Sequence, residues 1–274
     1  MSPRRLVVGI LTAGATFALV GAIAAAGIKT TSSRTTIASQ DFGTTTAHCP
    51  RGSEAVAGGF ASPGFDPTFT GPGITAEDSK RVGDRAWKTS GFNFGGATGK
   101  EVGYAYCDTH KPGLTAKSDT TSVPPSSNGS ATATCPGRSE AVSGGFAGFG
   151  PLDDAVFPFT SKRVGDDRWK VVGFNQDNTN AEDLKAIVYC DKHGPGLKAK
   201  SAHVSVPTEM KRSATAKCGR AKRAYSGGYA GQVGAQADGP FAFRSKKTKG
   251  GDWTAAAQGN GPTTARFTVF AYCK

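Results

Sequence analysis

Residues 49–60 read CPRGSEAVAGGF, residues 135–146 read CPGRSEAVSGGF, and residues 218–229 read CGRAKRAYSGGY. The same offsets continue downstream of each copy. Trp87, Trp169 and Trp253, the only tryptophans of the 274-residue chain, precede a closing Cys107, Cys190 or Cys273 by 20 or 21 residues. A tyrosine (Tyr106, Tyr189, Tyr272) stands directly before each closing cysteine. Fixed offsets over such distances are the mark of one supersecondary unit written three times.

The unit is made of strands. Segments such as SEAVAGGF, RWKVVGFN and RFTVFAYC place Val, Phe and Tyr in rough alternation between Gly, Asn, Asp and Pro, the pattern of short strands joined by turns. Only two Met accompany 38 Gly, which argues against a helical protein. The expectation is an all-β chain of three homologous disulfide-bonded repeats, at residues 46–124, 125–207 and 208–274. They form either tandem small β-sandwich-like modules or a pseudo-threefold arrangement like a β-prism or trefoil. Residues 28–45, rich in Ser and Thr, read as a flexible tether.

Six cysteines permit fifteen pairings, and the repeat selects one pair per unit: Cys49–Cys107, Cys135–Cys190 and Cys218–Cys273. Bonds of this kind belong to oxidising compartments and support units too small to bury much surface. The N-terminus agrees with export. Arg4 and Arg5 precede an uncharged run from Leu6 to Gly27, with small residues at Ala22–Ala24 and Ala24–Ala26 for cleavage. Residues 1–27 therefore read as a signal peptide, or as a signal anchor that would tie the protein to a membrane through residues 6–27 if uncleaved. A secreted or cell-surface location follows in either case.

The pattern C-P…G-G-F…W…N…Y-C resembles tandem disulfide-bonded β-repeats of exported, uncharacterised proteins of actinobacterial type. The resemblance covers about residues 45–274 and implies a secreted or surface protein without assigned chemistry. The third copy departs from it: Gly219 replaces Pro50 and Pro136, and the GFN of residues 91–93 and 173–175 becomes AQGN.

Catalytic patterns are missing. No G-x-S-x-G, H-E-x-x-H, phosphate loop or dinucleotide fingerprint occurs. The adjacent acids Glu77-Asp78, Asp153-Asp154, Asp166-Asp167 and Glu182-Asp183 would point to opposite faces of a strand. His110 and His193, each two residues after an Asp, read as turn residues. The recurring tryptophans read as core. No enzyme activity, cofactor or metal is expected.

Charge separates the copies. Net charge is +12 overall, but residues 198–274 alone carry +11 and residues 1–197 only +1. Glu54 and Glu140 become Arg223, flanked by Arg220 and Lys222; the SKRVGD loops at Ser79 and Ser161 become SKKTKG. Arg220, Lys222, Arg223, Arg244, Lys246, Lys247 and Lys249 are the candidate contacts for an acidic polymer or glycan of the cell envelope, since a concentrated basic field gathers polyanions. The segment shows no nucleic-acid-binding motif, so specific nucleic-acid recognition is not expected. The runner-up is a lectin-like protein for neutral glycans, using the loops after Phe60 and Phe146 and, should one be exposed, a Trp; an extracellular hydrolase comes third.

Overall fold

A computed structural model describes residues 27–148, 156–220, 222–232 and 239–274. Each repeat contributes six strands. The first supplies β1 (Lys29–Ile37), β2 (Phe42–His48), β3 (Glu54–Ala61), β4 (Ile74–Val82), β5 (Ala86–Asn93) and β6 (Gly99–Asp108). The second supplies β7 (Thr115–Val123), β8 (Asn128–Thr134), β9 (Glu140–Gly148), β10 (Val156–Val164), β11 (Arg168–Asn175) and β12 (Glu182–Asp191). The third supplies β13 (Lys198–Val206), β14 (Lys211–Ala216), β15 (Ala224–Gly231), β16 (Phe241–Lys247), β17 (Trp253–Gln258) and β18 (Ala265–Cys273).

These strands form three six-stranded antiparallel sheets, ordered β1-β6-β3-β16-β17-β14, β7-β12-β9-β4-β5-β2 and β13-β18-β15-β10-β11-β8. No sheet belongs to one repeat. Each joins three strands of one copy to three of the copy before it, and the β3–β16 pairing closes the cycle between first and third. The repeats are therefore arranged around a pseudo-threefold axis, not strung as tandem modules.

Two sequence boundaries change. Residues 28–45 are not a tether: Lys29–Ile37 pairs along its whole length with β6, and the segment ends inside β2. The six-strand units accordingly run 29–108, 115–191 and 198–273, so a division near 46 removes β1 and part of β2 from the first, and divisions near 125 and 208 each remove one strand, β7 or β13. Thr and Ser suit a half-exposed pleated edge, and β1 lies at a sheet edge with mostly exposed residues. Its polarity reflects that position.

The repeated residues explain the closure. The first glycine of each pair (Gly58, Gly144, Gly227) lies against the indole of its own Trp, where a Cβ would enter the ring. The second (Gly59, Gly145, Gly228) lies against the carbonyl of Ser245, Ser79 or Ser161 in the neighbouring copy, leaving no room for a side chain. That serine's Oγ accepts the indole N–H: Trp87 to Ser79, Trp169 to Ser161, Trp253 to Ser245, at 2.9–3.0 Å. Of the next residues, Phe60 meets both Phe146 and Tyr229 edge-on, with centroids 6.2 and 6.1 Å apart. The tyrosines before the closing cysteines complete the coupling. Tyr189 accepts Arg81 N–H, Tyr272 accepts Arg163 N–H and Tyr106 accepts Lys247 N–H, each from the preceding copy in the cycle.

All three expected disulfides are present. Each runs from the residues after β2, β8 or β14 to β6, β12 or β18, and so clamps two different sheets. The disulfides fit an oxidising environment. The tryptophans are buried, as expected of core residues, each 1% exposed, so none is available as the glycan-stacking surface of the lectin-like alternative. The signal or anchor segment lies outside the described residues, among which no helix is long and apolar enough to cross a membrane.

Candidate functional site

Two regions, at opposite ends of the β4–β5 hairpin and its equivalents, concentrate unusual chemistry. At the hairpin-turn end, where the disulfides lie, three clefts repeat around the molecule. The first is lined by Glu54, Leu114 and the turn at Asp84. The second is its equivalent at Glu140, Leu197 and Asp166. The third holds Arg223, Lys247, Lys274, Ile28 and His110.

In the first two clefts a buried glutamate ties the incoming strand to the frame. Glu54 accepts the backbone N–H groups of Gly113 and Leu114 at 2.7 and 2.8 Å, and pairs with Arg81 at 2.9 Å. Glu140 accepts Gly196 and Leu197 at 2.7 and 2.9 Å and pairs with Arg163 at 2.9 Å. A carboxylate receiving two backbone N–H groups and a guanidinium is a strong, charge-assisted anchor. In the third cleft Arg223 replaces the glutamate and Lys247 replaces the arginine. Lys247 is pushed down to about 8, first by burial and then by the charge of Arg223. Among the described residues no ion pair reaches either side chain.

The seven candidate basic residues are thus divided. Arg223 and Lys247 meet in the cleft, with the exposed Arg220, Lys222 and Lys249 on the turns at the same end. Arg244 and Lys246 alternate to the other face of β16. There Lys246 donates to Tyr104 Oη at 3.2 Å and lies 5.0 Å from its ring centre.

Asp108 accepts both the backbone N–H and the ring nitrogen of His110 at 2.9 Å, and Asp191 accepts His193 N–H at 2.8 Å. Both are turn contacts. Among the described residues no group of three or more His, Cys, Asp or Glu is placed to hold a metal.

The opposite end carries an open cleft of about 350 Å³ around the pseudo-threefold axis. Phe157, Phe241 and Thr75 occupy equivalent positions at the start of three strands; Phe94, Gln176 and Asn260 are equivalents following three others. Phe69, from the loop after Phe60, adds a fourth aromatic. Asp66 shapes that loop: it accepts Thr68 and Gly71 N–H groups, which hold its carboxyl down to about 2. Asp153 and Asp154, in the loop after Phe146, lie outside the described residues.

One feature escaped the sequence reading. Glu77 and Glu101 are 4% and 0% exposed, and both oxygens of Glu101 and Oε1 of Glu77 find no hydrogen-bond partner among the described residues. Burial, reinforced by Asp78, lifts Glu77 to about 8; burial, reinforced by Glu77, holds Glu101 well above the usual carboxylate range. Register places Leu184 and Phe267 where Glu101 stands, and Phe159 and Phe243 where Glu77 stands. Aligning the three copies position by position exposes both substitutions; scanning for adjacent acids does not.

The chain matches no known protein-family model, and no curated protein is significantly similar to it.

Proposed function

We propose that this is a secreted or cell-surface, non-enzymatic binding protein of the cell envelope, whose basic third repeat engages an acidic polymer. The observation that carries this reading is the +11 of residues 198–274 on a frame that is otherwise nearly neutral. Exposed Arg220, Lys222 and Lys249 lie within three residues of Arg223 or Lys247, which line the one hairpin-end cleft that lacks its glutamate. A field of this kind draws polyanions and speeds their association. The three disulfides and the resemblance to exported disulfide-bonded repeats support the extracellular setting.

The test must keep the chain intact, because residues 198–274 supply three strands to each of two sheets and deleting them dismantles the frame. Reversing Arg220, Lys222 and Lys249 together to Glu is expected to abolish co-sedimentation with purified cell envelopes. Raising salt from 0.1 to 1 M, which shortens the screening length from about 10 to about 3 Å, should release the unaltered protein. Retention at high salt, or pelleting of the triple variant, overturns the reading.

The axial cleft favours a second reading, recognition of neutral glycans. Four phenylalanines beside Gln176, Gln258 and Asn260 combine flat apolar faces with amide donors and acceptors. Salt-insensitive binding to a neutral polysaccharide, lost on Phe94→Ala and competed by free sugar, is the outcome this reading requires.

A further inference from the structure

We infer that the third cleft is a socket for a single oxyanion, carboxylate or phosphate, presented by the polymer. The inference rests on the polyanion reading above and specifies where and how the contact is made. Its warrant is internal, since the molecule builds the same corner three times and fills it twice.

At the two filled corners the occupant is the protein's own carboxylate, Glu54 or Glu140. It sits between two consecutive backbone N–H groups of an incoming strand and an arginine. The third corner keeps that frame. Lys29 pairs with Cys107 as Thr115 pairs with Cys190 and Lys198 with Cys273. Gly27 and Ile28 therefore enter β1 in the register in which Gly113–Leu114 and Gly196–Leu197 enter β7 and β13, and they line the equivalent cleft. Lys247 holds the position of Arg81 and Arg163. The carboxylate alone is gone: a cleft of about 250 Å³ lies here as clefts of about 460 and 270 Å³ lie at the filled corners, and what distinguishes this one is its charge.

Arg223 makes the corner cationic where each of the other two holds a carboxylate. Its stem lies against Gly251, where a Cβ would come within 2.9 Å of Arg223 Cγ, and the exposed side chain lines the cleft together with the half-buried Lys247. Two like charges share this cleft, and among the described residues no acidic side chain pairs with either. The one acidic side chain among the lining residues is already committed: Asp108 accepts the Tyr225 hydroxyl at 2.9 Å and contacts both the backbone N–H and the ring Nδ1 of His110. Lys274 adds a third cation, with its Nζ 5.4 Å from the centre of the Tyr225 ring. An external oxyanion would restore at this corner the charge balance that glutamate supplies at the other two.

The symmetry also supplies the test. Arg223→Glu rebuilds the sequence of the other corners and should plug the socket from within. In the full chain, affinity for polygalacturonate and for polyphosphate is measured by titration calorimetry for the unaltered protein, Arg223→Glu and Arg266→Glu. Arg266 is exposed on β18 away from the cleft, and its reversal makes the same change in net charge. The socket predicts at least a tenfold loss for Arg223→Glu and less than a threefold loss for Arg266→Glu. It also predicts a melting temperature for Arg223→Glu that is raised and no longer responds to the polymer. A loss confined to polygalacturonate assigns a carboxylate; one confined to polyphosphate assigns a phosphate. Equal losses for the two variants overturn the socket and leave a diffuse polyanion field. Binding by Arg223→Glu as tight as that of the unaltered protein overturns the socket alone. Absence of binding by the unaltered protein to either polymer overturns the polyanion reading with it. Should Arg223→Glu fail to fold, Arg223→Gln carries the same comparison, with a three- to tenfold loss expected.

Discussion

At the scale of single residues, the three copies act as controls for one another. Glutamate at position 101 occupies a core site that Leu184 and Phe267 fill with hydrocarbon, and its two oxygens find no hydrogen-bond partner among the described residues. A buried polar group without a partner costs about 1–3 kcal/mol. Glu101→Leu is therefore expected to raise unfolding free energy by about that amount at neutral pH. The pH dependence has a definite sign. The folded carboxyl of Glu77 titrates near 8 against an ordinary 4.5, so the unfolded chain gives up its proton first as pH rises. Stability contributed by the protonated group is complete below about 4.5 and is lost as pH climbs through 8. Denaturant unfolding at pH 5 and pH 8 should show a decline that flattens in Glu77→Phe and in Glu101→Leu. An unchanged slope in both variants rules these carboxyls out as its cause.

At the scale of elements, the glycine pair is the step that converts three repeats into one body. Strands β4 and β9 share only two residue pairs, Asp78–Ala147 and Ser79–Phe146, and that short crossing places Gly145 on the Ser79 carbonyl. Gly145→Ala would have to push backbone, not a flexible side chain. Overpacking of this kind costs about 1–3 kcal/mol, occasionally more, and thermal melts should show the loss. A melting temperature equal to that of the parent would mean that the crossing tolerates a methyl group. The sequence announced this motif by repeating it, and it announced the disulfides and the buried tryptophans the same way. What it hid were features set by a neighbour far away in the chain. The edge position of β1, the two-repeat sheets and the meaning of Glu54 all fall in that class. In the sequence Glu54 is only the position that becomes Arg223; its role appears once Gly113 and Leu114 are seen donating to it. Its replacement by Arg223 carries the charge signal that was legible, while the vacated corner behind that signal was not.

At the scale of the molecule, interleaving dictates how it should unfold. A chain of tandem modules would melt in up to three steps, each governed by its own disulfide. Here every sheet draws half its strands from a second repeat, and the tyrosine hydroxyls bond only across repeats. Loss of any copy leaves bare strand edges on both neighbours, so the copies have no separate folded states to visit. Scanning calorimetry of the oxidised protein is expected to give one transition, with equal calorimetric and van't Hoff enthalpies. Replacing both Cys135 and Cys190 by Ala frees a loop of 55 residues in sequence separation, worth about 2–4 kcal/mol in disulfides of this kind. Because Cys135 and Cys190 sit in the middle copy, tandem modules would lower the melting of one step out of three. The closed cycle requires instead that the single transition move down as a whole. A split endotherm in the double variant, with two-thirds of the enthalpy left at the original temperature, would show that the repeats unfold separately despite their shared sheets.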